Sequence, residues 1–194
     1  MLIAFEGLDQ SGKETQAQQL RERLREAGHK VRLLSFPDYG TSIGEEIARA
    51  LQGEREYGSD VMQLLFVANR HERREAILEW LAGGLILICD RYRASSIAYG
   101  EAHGLDARWL EEIQAFLPPA DLTIFIDIAP ETAVTRKAHD RDRYERDLAL
   151  LHRVRNSYQR QSGQPTWVRI DGERSKDQIA HDIFAAVIAS LTRD

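Results

Sequence analysis

Near the start of the chain stands Ile3-Ala4-Phe5-Glu6-Gly7-Leu8-Asp9-Gln10-Ser11-Gly12-Lys13-Glu14-Thr15. Leu2 to Glu6 read as a short buried strand. The run Gly7-Leu8-Asp9-Gln10-Ser11-Gly12-Lys13 forms a loop bounded by glycines. Ala17, Leu20 and Leu24 then recur at helical steps, and Gly28 is placed to stop that helix. Strand, glycine loop, lysine and helix is the context in which G-x-x-x-x-G-K-[ST] signals phosphate binding. Backbone N–H groups and a helix N-terminus converge there, and Lys13 adds a full positive charge. The pattern departs from the rule at Glu14, which replaces the usual hydroxyl residue, with Thr15 one place later. That hydroxyl ordinarily ligates Mg²⁺, so without it the metal is left to phosphates, water and Asp90.

Downstream the pattern alternates. Val31–Phe36, Leu85–Cys89, Leu122–Asp127 and Trp167–Ile170 read as strands, and apolar spacing between them reads as helices. Ser42 is expected to cap a helix running to about Leu51. One long helical pattern carries Leu64 through Leu81, and Gly83-Gly84 ends it. Further helices are expected to Ala102, from about Asp106 to Phe116, from Pro130, to about Arg160, and at the C-terminus. Alternating strands and helices predict right-handed βαβ units, hence an α/β, P-loop-type three-layer sandwich with about five parallel strands. A single domain over 1–194 is expected, with no internal repeat. Ligands of such sheets sit beyond the carboxyl ends of the strands. Gly7–Lys13, Phe36-Pro37, Asp90-Arg91 and Asp127 should therefore be read together.

The composition sets bounds. A net charge of −5 argues against a general nucleic-acid coat, although local basic pockets remain compatible with it. The lone Cys89 cannot form an intrachain disulfide and reads as a structural strand residue. No membrane span or secretory signal is evident, so a cytoplasmic protein is the expectation. His71-Glu72-Arg73-Arg74-Glu75 lacks the second histidine of a zinc motif, and Asp140-x-Asp142 lacks the rest of an EF-hand loop.

Two further constellations carry chemistry. Asp90-Arg91-Tyr92 follows a strand, where a P-loop enzyme places an acid for its metal; Arg91 adds a fork suited to phosphate. The alternative is an ion pair at the strand end. Phe66 and Arg70 lie one helical turn apart, suiting a base and its polar edge. From spacing alone, a core phenylalanine and a solvated arginine fit better.

Taken together, these segments resemble the thymidylate kinase family. They are Phe5-Glu6-Gly7-Leu8-Asp9-x-x-Gly12-Lys13-x-Thr15-Gln16, Phe36-Pro37, Leu65-Phe66-x-Ala68-Asn69-Arg70, and Asp90-Arg91-Tyr92-x-x-Ser95-x-x-Ala98-Tyr99. Asp142-Arg143-Tyr144-Glu145 is similar to that family's lid, placed at about 138–147. The resemblance spans nearly the whole chain. It implies γ-phosphoryl transfer from ATP to dTMP with Mg²⁺, in a homodimer without nucleic-acid partners.

The resemblance also implies roles for individual residues. The loop formed by Gly7, Leu8, Asp9, Gln10, Ser11, Gly12, Lys13, Glu14 and Thr15 would hold ATP phosphates, and Arg136 would pack on adenine. Asp9 would also approach the sugar of dTMP, and Phe36 and Pro37 would line its site. Phe66 would stack on thymine, Arg70 would read its edge, and Arg91 would bind the acceptor phosphate. Ser96 and Tyr99 would line the nucleoside pocket, and Asp90 would orient Mg²⁺. Gln10 stands where some members place an arginine, which leaves transition-state charge to Arg143, with Arg141 as the alternative. The competing readings are another nucleoside monophosphate kinase, a deoxynucleoside kinase, which has Glu-Arg-Ser in place of Asp90-Arg91-Tyr92, and a catalytically silent nucleotide sensor.

Overall fold

The computed structural model of the chain describes residues 1–136 and 147–192. Strands β1 (Leu2–Glu6), β2 (Val31–Ser35), β3 (Ile86–Asp90), β4 (Leu122–Asp127) and β5 (Trp167–Asp171) form one sheet in the order β2-β3-β1-β4-β5. Every pairing is parallel. The helices are α1 (Lys13–Glu26), α2 (Ser42–Gln52), α3 (Ser59–His71), α4 (Arg74–Ala82) and α5 (Arg93–Ala102). They continue with α6 (Ala107–Glu112), α7 (Pro130–Arg136), α8 (Leu148–Gln161) and α9 (Lys176–Leu191).

Strand alternation divides the core into two faces. Ile3, Phe5, Ile88, Ile124 and Ile126 point to one face and pack against Ala17, Leu20 and Leu24 of α1 and Ile179, Ile183 and Val187 of α9. Leu2, Ala4, Leu87 and Cys89 point to the other face, against Ile77 of α4. Phe125 joins that same face and packs with Ala98 of α5 and Val154 and Tyr158 of α8. Each central strand is therefore covered on both sides, which is why β1, β3 and β4 are predominantly apolar. Burying the Cys89 thiol pushes its pKa well up and keeps it protonated, in keeping with a structural role.

Three local expectations are corrected. Thr41, not Ser42, caps α2: its hydroxyl accepts from Gly44 N at 3.0 Å. The long pattern from Leu64 to Leu81 is two helices, broken at Glu72-Arg73. The break falls where side chains leave the helix for the loop after β2: Glu72 accepts from Thr41 Oγ1 at 2.7 Å, and Arg73 pairs with Asp38 at 2.6 Å. The helix capped by Asp106 ends at Glu112, short of Phe116.

Because all strands run one way, their carboxyl ends share one rim. Register aligns Phe5 with Asp90, and Asp90 with Ser35. The exits of β1, β2 and β3 are thus side by side, and this adjacency builds the site.

Candidate active site

The loop after β1 turns through Gly7 (φ +142°) and Gly12 (φ +91°). A Cβ on Gly7 would stand 2.5 Å from the Ile126 carbonyl oxygen of β4, so only glycine lets the loop pass so close to the sheet. Gly12 opens α1 without a side-chain cap, which leaves the first helical N–H groups available to an anion. Lys13 is buried and donates from Nζ to the Leu8 carbonyl at 2.7 Å and to Ser11 Oγ at 3.4 Å. Burial pushes its pKa down to about 8, and the charge of Arg91 adds to that. Glu14 and Thr15 are exposed on the first turn, where Glu14 accepts from Gln18 at 3.2 Å.

Beside the loop, Arg91 leaves β3 with φ +62°, a left-handed turn that few non-glycine residues adopt. Its guanidinium donates from Nη2 to Asp9 Oδ1 at 2.6 Å and to Tyr99 OH at 3.2 Å. Nη1 reaches Ser95 Oγ at 3.1 Å and Tyr158 OH at 3.3 Å. Arg91 does form an ion pair at the strand end, with Asp9 from the exit of the adjacent β1, but its side chain lies in the cleft wall and not on the open surface. Burial opposes the charge on both groups. Their mutual attraction outweighs it, holding Asp9 well below the usual carboxylate range and Arg91 well above the usual arginine value.

Glu6 organises this cluster from beneath. It is fully buried and accepts from Tyr92 N at 2.9 Å, Ser95 Oγ at 2.6 Å and Tyr158 OH at 3.1 Å. In the sequence Glu6 stands at the end of a strand and within the motif that carries the family resemblance, with no role of its own assigned. The available signal was a charged residue closing an otherwise apolar run, immediately before the glycine loop.

A cleft of about 600 Å³, open mouth included, lies between this cluster and α3. Phe36, Pro37, Phe66, Arg70, Ser96 and Tyr99 line it together with Asp9 and Arg91. Arg70 is buried, not solvated: Nη2 donates to Ser96 Oγ and, at 3.4 Å, to Gln114 Oε1. Burial pushes its pKa down to about 10. The opposite wall is held by Asn69, fully buried on α3. Its Oδ1 accepts from Asp38 N at 2.7 Å, and its Nδ2 donates to the Asp38 carbonyl at 3.1 Å. That clamp fixes the Phe36-Pro37-Asp38 turn, whose Phe36-Pro37 bond is cis, against the helix carrying Phe66.

The remaining strand-end groups differ in what they leave free. Asp90 has an oxygen, Oδ1, buried without a partner, which suits a group waiting for a hydrated cation. Among the described residues no three or more His, Cys, Asp or Glu side chains gather into a metal cage. Asp127, by contrast, is saturated. Arg155 donates to it at 2.7 Å, Arg169 at 2.9 Å and Gln159 at 3.2 Å, so it locks α8 and β5 to β4 and offers nothing to a ligand. Arg136 reaches from α7 to the Gln10 carbonyl at 3.1 Å and the Gly172 carbonyl at 3.1 Å, beside the loop. Arg141, Arg143 and the lid expected at 138–147 lie outside the described residues, except Asp147, which caps α8.

Residues 5–183 match the thymidylate kinase family model. The chain belongs to the thymidylate kinase family. It is similar to the thymidylate kinase of Schizosaccharomyces pombe, with 40% identity over 82% of this chain and 75% of the relative. Similarity to the human thymidylate kinase is 34% over 94% of this chain and 87% of the relative. The Arabidopsis thaliana thymidylate kinase is 36% identical over 96% of this chain and 70% of the relative. Thymidylate kinase from Candida albicans superposes with a TM-score of 0.84 over all of this chain and 93% of that one, at 29% identity. The fold of this family is thus the one described above. Among the described residues, no helix is long and apolar enough to cross a membrane.

Proposed function

We propose that the protein transfers the γ-phosphoryl group of ATP to dTMP, giving dTDP and ADP. Family membership supports this reading, and one observation carries it in the molecule: the phosphate loop and the α3 cleft meet at Asp9 and Arg91. A donor held by the loop and an acceptor held in the cleft would present their phosphates to each other there.

In this reading Lys13 exchanges its Leu8 and Ser11 contacts for the donor phosphates, joined by the amides from Gly7 to Thr15. Arg136, beside Gln10, supports the adenine end. The acceptor base lies between Phe66 and the Phe36-Pro37 turn, with Arg70 at its edge and Ser96 close by. Tyr99 and Asp9 line the sugar, and Arg91 takes the acceptor phosphate. Mg²⁺ bound with ATP would supply positive charge that offsets the phosphates. The unpartnered Asp90 oxygen fits that ion, held chiefly by phosphates and water rather than by a protein cage. Arg143, with Arg141 as alternative, supplies charge to the migrating group. A single domain, a cytoplasmic setting and action without nucleic acid complete the proposal. A homodimer, implied by the family resemblance, belongs to it as well.

Calorimetric titration tests the acceptor site. Saturable one-site binding of dTMP, lost in Arg91→Ala, is expected. Equal binding of dTMP by wild type and Arg91→Ala would remove the cleft from the proposal.

A further inference from the structure

Gln63 lies on α3 inside the wall of the cleft, 1% exposed, and neither its Oε1 nor its Nε2 has a hydrogen-bond partner. A buried amide normally finds partners, because leaving its donors and acceptor unmade carries their full desolvation cost. Gln114, fully buried nearby, shows the usual outcome: its Oε1 accepts from Arg70, and its Nε2 donates to the Arg93 carbonyl at 3.1 Å. Among the described residues, the other unpartnered buried atom lining this cleft is Arg70 Nε. The cleft therefore holds unspent hydrogen-bonding capacity in two side chains, one a donor–acceptor pair and one a donor.

Helix geometry brings these groups to one place. Gln63, Phe66 and Arg70 stand at i, i+3 and i+7, on one face of α3, with Gln63 and Arg70 roughly 10 Å apart along the axis. Long helical side chains lean toward the N-terminus, which carries the Arg70 guanidinium back over the Phe66 turn. A flat ring lying on Phe66 would have Gln63 and Arg70, which line the same cleft, as its neighbours along the helix. Gln63 and Arg70 together offer donor, acceptor and donor. That is the complement of the acceptor–donor–acceptor edge formed by O4, N3–H and O2 of thymine.

We propose that Gln63 is an acceptor-specificity residue, its Oε1 accepting from N3–H and its Nε2 donating to O2 of the thymine while Arg70 faces O4. The inference rests on the dTMP reading above. Cytosine, which presents a donor where thymine has O4 and an acceptor at N3, leaves a mismatch in either amide orientation. Uracil presents the same edge as thymine, so Gln63 does not separate dUMP from dTMP.

The experiment compares wild type with Gln63→Leu and Gln63→Met, using dTMP, its N3-methyl analogue and ATP as titrants, alongside thermal unfolding of the ligand-free proteins. The expected result is a loss of about ten-fold or more in dTMP affinity with ATP affinity unchanged. Unfolding temperatures should equal or exceed wild type, because the variants bury no unpaired amide. The preference for dTMP over the N3-methyl analogue should shrink in both variants. Wild-type dTMP affinity in the variants would overturn the assignment. So would lowered stability with dTMP and ATP binding lost together, which marks a packing role. A wild-type protein that binds ATP but no dTMP would instead overturn the kinase reading on which the inference stands.

Discussion

Arg91 and Asp9, which leave β3 and β1 respectively, meet at 2.6 Å where the phosphate loop joins the cleft. The pair ties the two halves of the site together before any ligand arrives. It also makes stability depend on pH. Burial would raise the Asp9 pKa, but Arg91 and Lys13 lower it further, so it sits below its ordinary value of 3.8. A depressed carboxylate contributes stability fully above that ordinary value and loses it as pH falls toward the folded-state value. Asp9→Asn should cost about 1–3 kcal/mol at pH 7, less than a fully buried pair because the Asp9 side chain is 35% exposed. Denaturant unfolding should show the gap to wild type narrowing below about pH 4. A gap constant from pH 7 to 3 would show that the pair does not titrate as described.

Lys13 gives a second pH dependence, opposite in direction. Burial lowers its pKa from 10.5 to about 8 in the ligand-free protein, so raising pH through that value removes the charge meant for the donor phosphates. kcat/KM for ATP should fall above about pH 8, while kcat falls only at higher pH, because bound phosphates hold the proton on. Lys13→Met should leave the fold intact and nearly abolish turnover. The check is a pH–rate profile with ATP varied at saturating dTMP.

Asn69 acts through the turn it clamps. Removing its side chain strands the Asp38 amide hydrogen bond and frees the Phe36-Pro37 wall. Asn69→Ala should lower stability by about 1–3 kcal/mol and raise the KM for dTMP with little change in that for ATP. Steady-state kinetics with each substrate varied in turn provides the measurement. Equal effects on both substrates would assign Asn69 to general packing.

Arg143→Ala tests the source of transition-state charge. A positioned arginine is worth roughly 10³–10⁵ in rate. The single-turnover rate should fall by that order with affinities little changed, and Arg141→Ala should act less. If both variants keep most of their turnover, the charge comes from another residue.

The fold was legible because β1, β3 and β4 are covered on both faces and therefore are predominantly apolar. The loop glycines and Lys13 were legible because backbone geometry and phosphate charge demand those residue types at those spacings. The break between α3 and α4 was not, since both halves keep helical periodicity and the interruption comes from tertiary bonds to Thr41 and Asp38. Arg70 looked solvated for the same kind of reason: its burial depends on Ser96 and Gln114, distant in sequence. The roles of Glu6 and Gln63 are not legible, because a single polar residue in an apolar stretch does not announce whether it is paired. Asp127 looked open at its strand end, and only the folded arrangement brings Arg155 and Arg169 to it.

Turnover with a panel of acceptors is the most direct test of phosphoryl transfer to dTMP. Purified protein, ATP and Mg²⁺ are incubated separately with dTMP, dCMP, dAMP and dGMP, and the nucleotide products are separated and quantified. The prediction is one dTDP and one ADP formed for each dTMP and ATP consumed, with kcat/KM for dTMP well above that for dCMP. A folded, ATP-binding protein that leaves dTMP unphosphorylated, or that prefers another monophosphate, would contradict the assignment.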